Sequence, residues 1–108
     1  MLLLAFFTLA ACEPETILAS EETLPTRSVQ IVNGRDDPIL YFYTTPSKVR
    51  NWGYDHIGNG LIPPGRARTI TFTDSSLCTY DFLVEFDRGE DIDERKINIC
   101  QISQWVAN

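Results

Sequence analysis

His56 is the single histidine of the chain, and Asp55 precedes it directly. A carboxylate beside an imidazole is the minimum for general acid–base chemistry, and a hydrolase would add a nucleophile activated by that imidazole. The available serines, Ser47, Ser75, Ser76 and Ser103, sit in no recognisable nucleophile context. A hydrolase using Asp55 and His56 is therefore the third of three readings. The second is a calcium-stabilised binding module. Asn51, Asp55 and Asn59 recur every four residues in a glycine-containing loop, and Asp74 lies in a later turn that could converge on them. Such hard oxygen donors suit calcium, although the spacing fits no EF-hand and turns recruit Asn and Asp for their own backbone hydrogen bonds. The third pattern is aromatic. Tyr41, Tyr43, Trp52 and Tyr54 could form a surface for a glycan or a protein, giving contact area at modest entropic cost, or could be core. The leading expectation is a non-enzymatic binding or assembly module without a cofactor.

Strands must position these residues. Tyr80, Phe82, Val84 and Phe86 alternate with Asp81, Leu83 and Glu85, the period of two of a strand with one buried face. A turn around Gly89 and a return segment carrying Ile92, Ile97 and Ile99 predict a hairpin. The charged run 87–95 reads as its solvated tip and outer face. Val29 and Ile31 alternate in 28–33, and the turn-rich segment 33–38 predicts a second hairpin with the strand 39–45. That strand carries Ile39, Tyr41 and Tyr43 on one face and Leu40 and Phe42 on the other, which predicts a central position. The glycine- and proline-rich segment 47–65 reads as one long loop, with Trp52 as its anchor, leading into a strand over 66–73 with Ile70 and Phe72 inward. Ile102 and Trp105 should close the core. The expected architecture is all-β: a small β-sandwich-like domain of about six antiparallel strands over residues 27–108.

Cys78 begins the first arm of the predicted hairpin and Cys100 ends the second, so antiparallel pairing brings them toward disulfide distance. The alternative is two buried free thiols. Three cysteines leave Cys12 over. It follows an uncharged apolar run, residues 2–11, too short for the roughly 20 residues that span a membrane. Leu9-Ala10-Ala11-Cys12 resembles the lipobox of bacterial lipoproteins, which implies a signal peptide over 1–11 and a lipidated Cys12. Such leaders usually open on a basic residue, which a start upstream of Met1 would supply. Ordinary cleavage after Ala11 is the rival. Either places the domain in the cell envelope, facing the periplasm or exterior; lipidation makes the membrane its first partner, with an envelope protein or glycan as the second. Residues 12–26 read as an acidic, flexible tether spanning at most about 50 Å.

The formal charge of −6 is concentrated there: Glu13, Glu15, Glu21 and Glu22 leave 11 acids and 9 bases from Arg27 onward. A nearly neutral domain without a basic patch lacks the footprint of nucleic-acid binding.

Tyr41-Phe42-Tyr43 with Pro46, Trp52-Gly53-x-Asp55-x-Ile57-Gly58, Leu61 with Pro64-Gly65, and Cys78-x-Tyr80-Asp81 with Cys100 and Trp105 together resemble a group of small secreted bacterial β domains. The resemblance spans most of 29–105 and implies an all-β, disulfide-bearing domain; it implies no activity. Asp87-Arg88-Gly89-Glu90 departs from the simple Asp-Gly turn expected there.

Overall fold

A computed structural model describes residues 26–74 and 76–108. The leader, Cys12 and all but the last residue of the tether lie outside the described residues. Six strands follow in order: β1 (Arg27–Asn33), β2 (Ile39–Pro46), β3 (Ala67–Phe72), β4 (Thr79–Phe86), β5 (Ile92–Asn98) and β6 (Gln104–Ala107). They form two three-stranded sheets, ordered β3-β1-β6 and β2-β4-β5. All pairs are antiparallel except β1 with β6, which run parallel. No helix among the described residues is long and apolar enough to cross a membrane.

The alternating residues do what their period requires. Val29 and Ile31 of β1, Ile70 and Phe72 of β3, and Tyr80, Phe82, Val84 and Phe86 of β4 are all buried between the sheets. Phe82 is the hub: its ring meets Phe42 edge-on at 5.1 Å and Trp105 edge-on at 5.1 Å, so both sheets close on it. Cys78 and Cys100 are bonded, with Cα atoms 5.2 Å apart, beside the Ile99 N–H that donates to the Cys78 carbonyl. The free-thiol alternative is thereby excluded.

Two expectations about β2 are corrected. It forms no hairpin with β1, because the two strands belong to different sheets. The crossover 34–38 is instead fastened to the β4–β5 turn. Asp37 Oδ2 accepts the Arg88 and Gly89 N–H groups at 3.0 and 2.6 Å, Arg35 donates to the Glu90 carbonyl, and its guanidinium lies 4.3 Å from the Phe86 ring centre. Nor is β2 central: it is an edge strand, and β4 holds the middle. Its two-sided apolar pattern has another cause. A bulge between Ile39 and Tyr41 shifts the register, so Ile39 and Phe42 both turn inward while Tyr41 and Tyr43 stack on the outer face, ring centres 6.2 Å apart.

Asn33, fully buried at the end of β1, joins the crossover to the loop beyond β2. Its Nδ2 donates to the Asp37 and Ile62 carbonyls at 2.8 and 2.9 Å, and its Oδ1 accepts the Arg35 N–H at 2.9 Å. The chain enters β3 through a turn in which Arg66 N–H donates to the Pro63 carbonyl and Gly65 takes φ 75°, a conformation that costs a side chain but not glycine.

Asp81 is the unexpected charge of β4, 3% exposed. It serves a second bulge, where Lys96 takes φ 60° and its N–H donates to Asp81 Oδ1 at 2.9 Å. Ser47 and Arg95 complete the ring of donors. Burial pushes the Asp81 carboxyl up, but the Lys96 N–H, the Ser47 hydroxyl and Arg95 outweigh it and hold the acid below its ordinary range. Asp37 is held low in the same way, burial being outweighed by the Gly89 and Arg88 N–H groups and by Arg88 and Arg35. A depressed carboxylate stabilises the fold above its unfolded pKa, about 3.9, and that contribution is lost as pH falls through the folded value. Thermal midpoints should therefore be flat down to about pH 5 and fall below about pH 4. Asp81→Asn should make that acid decline shallower; an unchanged slope would show that Asp81 does not drive it.

Candidate functional site

The long loop does not wander. Phe42 presents its N–H and C=O to the free edge of β2, and the loop takes both: Asp55 Oδ1 accepts the Phe42 N–H at 2.9 Å, and His56 N–H donates to the Phe42 carbonyl at 2.8 Å. Ile39 and Ile62 exchange both backbone bonds farther along. An otherwise open sheet edge is thus covered. Ile57 and Ile62, 4% and 1% exposed, anchor the loop in the core, whereas Trp52 is only half-buried. The expected anchor is therefore corrected.

Fastened this way, the loop walls a cleft of about 320 Å³ at one end of the sandwich. Thr44, Thr45 and Pro46 form the β2 side, and Thr71, Phe72, Thr73 and Asp74 form the end of β3 and the turn after it. Tyr80 comes from the start of β4, and Asn51, Trp52, Gly53, Tyr54 and His56 come from the loop. A wider, shallower groove of about 520 Å³ lies between the crossover and the β4–β5 turn, lined by Arg35, Asp37 and Arg88. Those charges serve one another and the adjoining backbone, so the smaller cleft is the candidate site.

Two aromatic rings there are held from behind. The Arg95 guanidinium lies 4.9 Å from the Trp52 ring centre. Arg95 is itself fixed by Asp93, at 2.7 and 2.9 Å, and by Asp81 at 3.2 Å. Tyr54, 71% exposed, stacks on His56 at 4.3 Å, and His56 meets the core through the edge of Phe42. Gly53 between them takes φ 76°, which turns the chain between the two rings. Burial lowers the His56 pKa, with the Thr44 backbone and the Asp55 carboxylate only partly opposing, so the imidazole is neutral at pH 7. Tyr80 is pushed up by burial and by Asp74, and remains a phenol donor. Asp74 is held low by the Ser76 hydroxyl and N–H. Thr44, 7% exposed, is a lining residue whose Oγ1 is itself buried and has no hydrogen-bond partner among the described residues.

Compared with family models, curated proteins and solved structures, the chain matches none.

The fold separates the residues that the sequence singled out. Of the four oxygen donors, Asn51 and Asp74 line the cleft, Asn59 lines a separate groove with Leu40 and Tyr41, and Asp55 spends Oδ1 on the Phe42 and Ile57 N–H groups. Of the four aromatics, Trp52 and Tyr54 line the cleft, while Tyr41 and Tyr43 stack outside it. His56 is in the cleft, but the hydroxyls described there are those of threonines and Tyr80, and that of Thr44 bonds to nothing. Among the described residues, no three or more His, Cys, Asp or Glu side chains gather to hold a metal. Sequence reading missed Thr44, Tyr80 and Arg95. No local pattern marks them, because each reaches the site through sheet register.

Asp55 can be tested directly. Asp55→Ala removes the acceptor of two backbone N–H groups and should cost about 1–2 kcal/mol, with faster amide exchange at Phe42 and Ile57. Asp55→Asn keeps the oxygen and should retain most of that protection; equal loss in both variants would rule out the hydrogen-bonding role.

Proposed function

We propose that this protein is a membrane-anchored cell-envelope lipoprotein whose β domain is a non-enzymatic binding module, with the Trp52–Tyr54 cleft as its ligand site. The anchor rests on Leu9-Ala10-Ala11-Cys12. The observation that carries the site is the pre-positioning of two aromatic rings, one held by a doubly paired arginine and the other by a core-packed histidine, over a cleft with a few convergent polar groups. Rings fixed before binding lose little entropy when a ligand arrives, and that favours recognition.

The test is photo-crosslinking in the envelope, with p-benzoylphenylalanine placed at Tyr54 or, as comparison, at Thr69 on the exposed face of β3. An adduct formed from position 54 and absent from 69 is expected. Adducts equal at both positions, or at neither, would refute the cleft as the site. Cys12→Ala should in parallel release the protein from the membrane fraction.

A further inference from the structure

Resting on that reading of the cleft, we propose that its ligand is an uncharged saccharide unit, stacked on Trp52 and Tyr54 and hydrogen-bonded by the cleft's hydroxyl and amide groups. A pyranose has apolar C–H faces and a rim of hydroxyls that both donate and accept. The cleft has the matching halves: the Trp52 and Tyr54 rings on the loop side, and Asn51, Tyr80 and Asp74 among the polar residues that line it with them. The Asn51 amide, on an exposed loop residue, is the group most open to a sugar hydroxyl, whereas the Thr44 Oγ1 is buried away from the cleft surface and meets no ligand directly.

Charge decides against the commonest alternatives. No lysine or arginine is among the described lining residues, and Asp74 is there as an anion with Lys48 and Arg95 outside the lining, so phosphate, sulfate and carboxylate groups meet a carboxylate and no lining cation to bind them. An extended peptide would seek a free strand edge, and at Phe42, next to the cleft's β2 wall, that edge is already taken by Asp55 and His56. An acyl chain would leave the polar groups of the lining unpaired. The volume of about 320 Å³ stands at the small end of ligand sites and suits a sugar ring with some of its neighbour.

Saturation-transfer NMR and tryptophan fluorescence on the full chain, with cellobiose, maltose and N,N′-diacetylchitobiose as probes, test this against inorganic phosphate and trialanine. Saturable binding of at least one saccharide is expected, weakened ten-fold or more by Tyr54→Ala, an exposed position where folding is not at stake, and unchanged by Tyr41→Ala. Asn51→Ala, at another exposed lining position, should weaken saccharide binding several-fold while leaving the thermal midpoint unchanged, a combination that a purely structural amide would not give. Silence of all three saccharides, or binding indifferent to Tyr54→Ala, overturns the carbohydrate assignment. If the position-54 adduct nevertheless forms, or phosphate or trialanine binds, the cleft stands with another ligand class. If no adduct forms either, the binding reading falls with it.

Discussion

Replacing Cys78 and Cys100 together by alanine should lower the domain's stability by roughly 3 kcal/mol, and its thermal midpoint by roughly 10–20 °C. The bond closes a separation of 22 residues, and on the chain-entropy model most of its effect lies in the unfolded chain, which the cross-link forbids from spreading. A domain this small buries too little apolar surface to absorb such a loss easily. Reducing agent should reproduce the double variant, and added to the double variant it should do nothing. If midpoints agreed within a few degrees across all these states, packing around Phe82 alone would be carrying the hairpin.

The second large effect centres on Asn33. Asn33→Ala takes the side-chain partner from the Asp37 and Ile62 carbonyls and the Arg35 N–H, of which the Ile62 carbonyl alone keeps a second donor in the Ile39 N–H, and should cost about 2–4 kcal/mol at every pH. Asn33→Asp is the sharper experiment. An ionised carboxylate there would face two carbonyl oxygens, so the acid's folded pKa must rise above its ordinary value of about 3.9. Stability is then fully present below the unfolded pKa and lost as pH rises through the folded one. The gap between wild type and Asn33→Asp should therefore narrow on acidification toward pH 4, while the gap for Asn33→Ala stays constant. Parallel pH curves for both variants would show that Asn33 Nδ2 is not the donor that matters.

Much of this fold was legible where one residue's neighbours in sequence are also its neighbours in the sheet. The β4 alternation, the β4–β5 hairpin and its cystine, and the inward Ile70 and Phe72 of β3 are of this kind. What depended on distant partners was not. The β1–β2 hairpin was the natural inference from a turn-rich segment between two strands, yet the Arg35 and Asp37 side chains of that segment bond residues 88–90, about fifty positions away. A bulge at Leu40 adds no letter that distinguishes it from regular strand, and it moved Ile39 from the predicted face of Tyr41 and Tyr43 to that of Phe42. Asn33 read as the start of a turn and Asp81 as a polar residue on a wet strand position, because burial of a single amide or carboxylate is set by partners that only the folded chain assembles. The candidate site was half visible for the same reason. Its loop contribution, Asn51 to His56, is contiguous and was singled out, whereas Thr44, Thr71 and Tyr80 arrive from three strands in two sheets.

The register of β1 has a mechanical consequence. Arg27, where the chain enters the domain, pairs with Phe72, and Phe72 lines the cleft. A pull applied at the N-terminus and resisted by a ligand in the cleft would thus act on β1 and β3 from their shared end. The rungs ahead of Gln30, those of Arg27, Ser28 and Val29, would open singly and in order, but from Gln30 onward β6 pairs with the other side of β1 and would share the load. Under such a pull the domain would give a little at its entry and then hold, and the first part to peel would be the strand beside the cleft's β3 wall.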